Sequence, residues 1–200
     1  DSSTSRGLGD VYKRQDKYVD ALERSLPCMR HRGPDAAGTW HDGDAAFGFN
    51  RLSIIDLEHS HQPLRWGPED QPDRYAMTFN GEIYNYVELR EELKGLGYTF
   101  HTEGDGEPIV VGYHHWGKDV VNHLRGMFGI VIWDTHTKTM FAARDQFGIK
   151  PLYYATTEAG TVFASEMKCI LEMADEIGLE LNLDRRAIAV SYTHLRAHET

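Results

Sequence analysis

The stretch TFNGEIYNY, Thr78–Tyr86, contains an Asn-Gly-Glu corner whose residue types could stabilise an oxyanion. A strand pattern ends at Phe79 and a helical pattern begins near Asn85, so the backbone amides between them are predicted to lack partners. The Gly81 amide and the Asn80 side-chain amide could then converge on one oxygen, because glycine permits a close approach. Such donors stabilise the charge that develops when an acyl carbon is attacked. Taken alone, the corner is better explained as an ordinary strand-to-helix turn.

Metal binding is a second kind of chemistry to consider, because the chain has 11 histidines. Away from the chain ends they cluster only as His59 with His61 and as His114 beside His115. Neither pair has the HExxH spacing that places two ligands on one helical face. Adjacent helical residues point about 100° apart and rarely share an ion. No metal site is therefore predicted, and a metal enzyme is the weakest of three alternatives.

The composition indicates a single globular domain of 200 residues, with 40% hydrophobic and 26% charged residues. A net charge of -10 without a basic run argues against nucleic-acid binding. No stretch resembles a membrane span or a secretory signal, so no membrane partner is expected. Two cysteines, Cys28 and Cys169, form no CxxC motif and predict no disulfide framework. The default location is a reducing cytoplasm.

The elements that position these residues are predicted from hydrophobic periodicity. A helix is expected from Asp16, a loop over His59–Asp73, and a helix after Asn85 with a capping box formed with Glu88. Two further helices are expected, over Pro108–Trp116 and Val120–Leu124. The strand-like runs are AAFGFNRLSIID, RYAMTFN, MFGIVIWD, TMFAARD, PLYYATT and TVFASE. The last four have short polar connections, which predicts antiparallel hairpins in an α+β fold, and MFGIVIW is apolar on both faces, which predicts a strand covered on both sides.

Four motifs occur in the same order as in a known family, namely HRGPD, RLSIID, FNGEIYN and ARDQFGIKPLYY. Together they resemble the glutamine amidotransferase domain of asparagine synthetases, a class II domain with an N-terminal nucleophile. The resemblance runs from about Tyr18 to Leu171. It implies a four-layer αββα sandwich of antiparallel sheets, the Ntn-hydrolase fold, and L-glutamine as the substrate.

The resemblance also implies roles for five residues. Arg51 would hold the α-carboxylate of glutamine with its planar guanidinium. Asp105 would accept from the α-ammonium group, and Glu82 would also contact the amino acid. Asn80 and Gly81 would be the donors of the oxyanion hole.

Three of these residues have simpler structural explanations. Arg51 could form a surface ion pair with Asp56. Asp105 could be the N-cap of the helix that begins near Pro108. Glu82 could be a carboxylate at a helix N-terminus, stabilised by the helix dipole.

Catalysis in this family needs a cysteine as the first residue of the mature chain. Its thiolate attacks the glutamine amide carbon, and its own α-amine acts as the base. This chain begins with Asp1 and contains no Cys-Gly dipeptide, and Cys28 and Cys169 are expected to be packing residues. We therefore expect the chain as printed to be an inactive fragment of a glutamine-hydrolysing asparagine synthetase.

The ends of the chain have no apolar periodicity, and residues 1–15 and 190–200 resemble translated adapter sequence. The expected division is a foreign tail at 1–15, an amidotransferase domain without its first strand at 16–175, the start of a linker at 176–189, and a second tail at 190–200. The resemblance implies a missing synthetase domain that uses ATP and Mg, and no cofactor in this fragment. It also leaves open that the full protein forms a homodimer. The acceptor of the ammonia, aspartate or another compound, stays open. The alternative interpretation is a non-catalytic amino-acid-binding module on the same fold.

Overall fold

The structure, a computed structural model, describes residues 17–34, 36–51 and 62–182 and is a mixed α+β arrangement of antiparallel sheets. The strands are β1 Ala36–His41, β2 Ala46–Arg51, β3 Leu64–Trp66, β4 Tyr75–Ile83, β5 Gly126–Asp134, β6 Thr139–Arg144, β7 Tyr153–Thr157 and β8 Gly160–Ala164. The α-helices are α1 over 17–25, α2 Tyr86–Gly95, α3 Glu107–Trp116, α4 Met167–Glu172 and α5 Ala174–Ile177. Two 3-10 helices cover Leu26–Arg32 and Gly117–Asn122. The predicted α+β class and the antiparallel hairpins are confirmed.

The central sheet has the strand order β3-β4-β5-β6, with every neighbouring pair antiparallel. Strand β5 is buried on both faces, as its sequence predicts. Phe128, Ile130 and Ile132 pack into the core with α2 and α3, whereas Val131 and Trp133 pack on the opposite face.

Two smaller sheets, β1-β2 and β7-β8, lie against that opposite face. Phe47 of β2 is buried there, and Trp40 of β1 and Phe163 of β8 pack against the same cluster. On the far side of β8, Val162 packs on a third cluster that contains Ala21 of α1 and other residues of α4 and α5. Hydrophobic contacts therefore connect α2 and α3 to the central sheet, the central sheet to the small sheets, and β8 to α1, α4 and α5.

Some sequence predictions were wrong in detail. The predicted loop over His59–Asp73 contains β3, and β1 was not predicted at all. The predicted helix over Val120–Leu124 is instead the 3-10 helix Gly117–Asn122. The helix predicted from Asp16 is confirmed over 17–25, and Pro27 then lies in a 3-10 helix because it removes one helical donor.

The predicted capping box at α2 is also wrong. Asn85 is the N-cap residue, but its side chain makes no capping hydrogen bond. Its Nδ2 donates to the His123 carbonyl at 2.9 Å, and its Oδ1 accepts from the Arg125 amide at 2.8 Å. The side chain therefore holds the segment before β5, a long-range role that local spacing cannot reveal.

Within the described ranges, no helix has both the length and the apolar character needed to cross a bilayer.

Asp134, at the end of β5, is a buried carboxylate that pairs with Arg74. Arg74 Nη2 donates to Asp134 Oδ2 at 2.7 Å, and Arg74 Nε donates to both carboxylate oxygens. The amides of His136 and Thr137 also donate to Oδ1. Burial alone would raise the pKa of Asp134, but these donors outweigh it and lower the pKa to about 2.

Acidification is expected to remove the stabilisation that Asp134 provides. Its folded pKa lies below the unfolded value of about 3.9, so the contribution is complete above that value and is lost as the pH falls towards 2. At 1.36 kcal/mol per pKa unit, the loss amounts to about 2 kcal/mol in the free energy of unfolding. Urea denaturation of the wild type and of Asp134→Asn across this range measures it. The free energy of unfolding of Asp134→Asn should fall less on acidification than that of the wild type. The control Asp119→Asn, at an exposed position, should lose as much as the wild type. Equal acid sensitivity of Asp134→Asn and wild type would contradict the prediction.

Candidate functional site

A cavity of about 640 Å³ lies between β4 of the central sheet and the layer formed by β2 and β8. Four of the five predicted site residues line it, namely Asn80, Gly81, Glu82 and Asp105. The fifth, Arg51, is the last residue of β2 and pairs with Ala36 in register, and its side chain is outside the described part of the structure. The preceding residue, Asn50, lines the cavity.

The Asn80–Glu82 segment is not a corner. Strand β4 continues to Ile83, and Asn80, Gly81 and Glu82 face Gly129, Phe128 and Met127 of β5 in register. The predicted strand end at Phe79 is therefore wrong, because pairing with β5 extends the strand through residues whose local preference is for a turn. The prediction that this whole segment has free amides fails for the same reason.

Gly81 is required by the packing of the two strands. A Cβ atom built at this position would lie 2.1 Å from the Met127 carbonyl oxygen and 2.8 Å from Phe128 Cα, both backbone atoms of β5. The glycine thus permits the close approach of strand β5, independently of any oxyanion binding by its amide.

The Gly81 amide is expected to face the cavity edge of β4. Two residues earlier, the Phe79 amide donates to Gln62 Oε1 at 3.1 Å, and two residues later the Ile83 amide donates to Asp105 Oδ2 at 3.0 Å. Alternate residues of a strand direct their amides to the same side. The Gly81 amide therefore lies between two amides that both point away from β5.

The Asn80 side chain contacts the end of β8. Its Nδ2 lies 3.4 Å from Ser165 Oγ, and both residues line the cavity. Since an amide nitrogen has two protons, this contact uses one and leaves the other for a ligand.

Asp105 joins the loop before α3 to the end of β4. Its carboxylate accepts from the Ile83 amide, and the N-cap of α3 is Gly106, so the alternative N-cap role of Asp105 is wrong. Burial raises the pKa of Asp105, backbone donation lowers it, and the charge of Glu82 raises it. Glu82 is an exposed strand residue, so it is not the helix N-terminal carboxylate of the alternative interpretation.

Sequence reasoning missed Ser165 and the charged group beside it. Arg32 lines the cavity, and its Nη1 lies 3.5 Å from the Ser165 carbonyl oxygen and 3.7 Å from Glu166 Oε1. Glu166 also pairs with His31 and Lys168 at 2.9 Å each. The motif HRGPD contains Arg32, but its sequence gives no indication that it approaches the end of β8.

The motif ARDQFGIKPLYY forms a tightly held loop after β6. The buried carboxylate of Asp145 accepts from the amides of Phe128, Phe147, Ile149 and Lys150. Burial alone would raise the pKa of Asp145, and these amides lower it below its usual value. Gly148 has a φ of +63°, which a glycine adopts without strain in a tight turn. Phe147 is nevertheless 82% exposed.

The buried Cys169 is not activated as a nucleophile. Cys169 of α4 is buried and lines the cavity, and burial, with smaller effects of Cys28 and Glu166, raises its pKa to about 11. A catalytic thiol needs the opposite shift. Cys28 lies in the 3-10 helix with its thiol half-buried and unbridged.

The two adjacent histidines of α3 contact different tyrosines. His114 Nδ1 lies 3.1 Å from Tyr75 Oη, and His115 Nδ1 lies 3.0 Å from Tyr98 Oη. The described residues contain no group of three or more His, Cys, Asp or Glu arranged to hold a metal ion. His59 and His61 lie outside the described ranges.

Comparison with known proteins yields a consistent set of relatives. A family profile described as "Glutamine amidotransferase domain" matches residues 6–199, a range that extends into both terminal segments, 1–15 and 190–200. The chain is 58% identical over 176 residues to the Mycobacterium tuberculosis protein named "Putative asparagine synthetase (glutamine-hydrolyzing)", a match that covers 85% of this chain and 27% of that protein. It is 47% identical over 150 residues to "Asparagine synthetase (glutamine-hydrolyzing) 1" of Bacillus subtilis, covering 75% of this chain and 23% of that protein. The chain thus spans about a quarter of the length of these curated relatives.

A solved structure shares the fold. Glutamine phosphoribosylpyrophosphate amidotransferase from B. subtilis superposes with a TM-score of 0.52 and 24% sequence identity, and the match covers 66% of this chain and 29% of that one. At this identity the likeness concerns the fold.

Proposed function

The chain belongs to the glutamine amidotransferase domain family, and on this basis we propose that it is the ammonia-supplying glutaminase domain of an ATP-dependent asparagine synthetase. The main support is spatial. Asn80, Gly81 and Asp105, which are separated in the sequence, line a single cavity with the end of β8.

We further propose that the fold is the four-layer αββα sandwich of Ntn hydrolases. Packing supports this: α2 and α3 cover one face of the central sheet, the two small sheets cover the other, and α1, α4 and α5 cover the small sheets. The cavity lies between the two sheet layers, where glutamine would be shielded from bulk water.

Recognition of the amino-acid end of glutamine is assigned to charged residues. Asp105 would accept from the α-ammonium group, since only one of its carboxylate oxygens is bonded by the Ile83 amide. Glu82, close enough to raise the pKa of Asp105, would add negative charge near the same group. Arg51 would hold the α-carboxylate with a bidentate contact.

Asn80 and Gly81 would act at the other end of the substrate. When a thiolate attacks the side-chain amide carbon, the carbonyl oxygen becomes an oxyanion, and the Asn80 Nδ2 and Gly81 amide protons would stabilise it. The α-amine of the nucleophilic cysteine, which took the thiol proton when the thiolate formed, donates that proton to the departing amide nitrogen as the intermediate collapses, and ammonia leaves. Water then attacks the thioester and releases glutamate and the thiol.

Neither Cys28 nor Cys169 fits the role of nucleophile. Their α-amines are held in peptide bonds, and the Cys169 thiol is buried with a raised pKa. We therefore propose that the chain as printed does not hydrolyse glutamine. The second candidate, a non-catalytic amino-acid-binding module, would use the same pocket without the chemistry.

The remaining length of the relatives would contain the synthetase domain, with its ATP and Mg sites. The exposed loop with Phe147 and Ile149 is where we expect that domain to contact this one.

Calorimetric titration of L-glutamine tests the proposal. It uses a variant of the chain with a Met-Cys-Gly start, here called the Cys-led variant. This variant should bind L-glutamine, and Arg51→Ala within it should weaken binding by about 1.5–3 kcal/mol, the value of a hydrogen-bonded charge pair, which corresponds to roughly 10- to 150-fold in Kd.

The matched control is Arg65→Ala, which removes an exposed arginine of β3 that pairs with Asp73. Its affinity for L-glutamine should equal that of the Cys-led variant without further substitution, here called the parent. Absence of glutamine binding in the folded parent would overturn the proposed function, and unchanged affinity of Arg51→Ala would overturn the role of Arg51.

A further inference from the structure

The loop that presents Asp105 is held by two buried charges. Residues 96–106 connect α2 to α3 without regular secondary structure, yet the Asp105 carboxylate reaches the Ile83 amide at 3.0 Å. A loop of this kind has many accessible conformations. The contacts that select one conformation come from Glu107 and Arg90.

Glu107 fixes the middle of the loop from the first turn of α3. It is only 1% exposed. Its Oε1 accepts from the His101 amide at 2.8 Å, and its Oε2 accepts from the Thr102 amide at 2.7 Å and the Thr102 hydroxyl at 2.9 Å. The carboxylate thus folds residues 101 and 102 back onto the helix that follows Asp105.

Arg90 fixes the end of the loop from α2. It is 5% exposed, and its Nη2 donates to the Gly104 carbonyl at 2.7 Å, directly before Asp105. Its Nη1 donates to Glu103 Oε2 at 2.7 Å, and the guanidinium lies 5.3 Å from the centre of the Phe100 ring. Its Nε makes no hydrogen bond to the described residues, so part of its desolvation is uncompensated.

We propose that Arg90 and Glu107 are positioning residues that set the location of the Asp105 carboxylate at the end of β4. The step from there to glutamine rests on the proposed function, in which Asp105 receives the α-ammonium group.

Stability alone explains this arrangement poorly. Buried charges often contribute no more to stability than apolar residues of similar volume, because of the desolvation penalty. Here Arg90 and Glu107 are not paired with each other. Both form their hydrogen bonds with the backbone and side chains of one irregular loop. What they determine is the path of residues 101–104, and therefore the location of the next residue, Asp105.

Amide hydrogen exchange of the 200-residue chain tests the positioning without any ligand. In Arg90→Met, the Ile83 amide should exchange about tenfold faster, because Asp105 no longer accepts from it in a fixed geometry, whereas Ile132 in the middle of β5 should keep its protection. Lys94→Met is the matched control, since Lys94 forms an exposed pair with Glu91 on the same helix. It should leave the Ile83 amide unchanged.

Milder variants keep the test decisive if Arg90→Met fails to fold. Arg90→Lys retains the charge but loses the fork that reaches both Gly104 and Glu103, and Thr102→Val removes only one donor to Glu107. Either should still increase Ile83 exchange selectively. An unchanged exchange rate of the Ile83 amide in folded variants of both Arg90 and Thr102 would overturn the inference.

Glutamine kinetics in the Cys-led variant supply a separate measurement. Arg90→Lys and Thr102→Val should raise the KM for L-glutamine by a larger factor than they lower kcat, because the loop acts on binding of the amino-acid end. A parent that hydrolyses glutamine, with KM unchanged in these variants, would overturn the inference and leave the proposed function intact. A folded parent that neither binds nor hydrolyses glutamine would overturn the proposed function, and Ile83 exchange would still decide the positioning role.

Discussion

The Cys-led variant is expected to release glutamate and ammonia from L-glutamine, whereas the chain as printed is expected to release none above the uncatalysed background. The physical reason is the state of the available thiols. Cys169 has a pKa of about 11 in its buried position, so it is almost wholly protonated near neutral pH. An N-terminal cysteine adds both a thiolate nucleophile and an α-amine with a pKa near 7.7–8.0, which suits proton transfer.

Coupled measurement of glutamate release checks this prediction in both proteins. Cys28→Ser and Cys169→Ser in the Cys-led variant should retain activity, because neither residue takes part in the chemistry. Glutamate release by the printed chain that is abolished by Cys28→Ala would contradict the assignment of the nucleophile. Inactivity of a folded, glutamine-binding Cys-led variant would favour the non-catalytic module.

Asn80→Ala in the Cys-led variant is expected to lower kcat by about 10²- to 10³-fold, the usual effect of removing one oxyanion-hole donor. The KM for glutamine should change little, because the oxyanion forms only in the transition state. Loss of the Ser165 contact is a minor effect, since that hydrogen bond is long at 3.4 Å.

Two controls separate chemistry from folding in this experiment. Asn122→Ala removes the same side chain from the 3-10 helix after α3 and should leave kcat unchanged. The midpoint temperature of thermal unfolding of Asn80→Ala should be close to that of the Cys-led variant without this substitution. A stable Asn80→Ala protein with undiminished kcat would show that the oxyanion is stabilised elsewhere.

The sequence predicted the elements whose signals are local. The apolar run of β5 correctly indicated a strand buried on both faces. The helical periodicity after Asn85 correctly indicated α2, whose Leu89 and Leu93 are buried. Asn80 and Gly81, predicted for the oxyanion hole, and Asp105, predicted for the α-ammonium group, do line one cavity. Their chemical roles stay predictions.

The sequence could not predict features that depend on distant partners. Asn80 and Gly81 favour a turn locally, and only the approach of Met127 and Phe128 keeps them in a strand. Residues that come together only in the folded chain escaped notice for the same reason. Ser165 meets Asn80 from 85 positions away, and Arg90 reaches a carbonyl 14 positions ahead.

The pairing of β4 with β5 has a kinetic consequence. Their register joins Ile83 to Gly126 and Tyr75 to Asp134, so α2 and α3 lie within the chain segment that this pairing encloses. Contacts so distant in sequence form slowly compared with the helices they enclose. The cavity wall at Asn80–Glu82 is therefore expected to be completed only after α2 and α3 have formed.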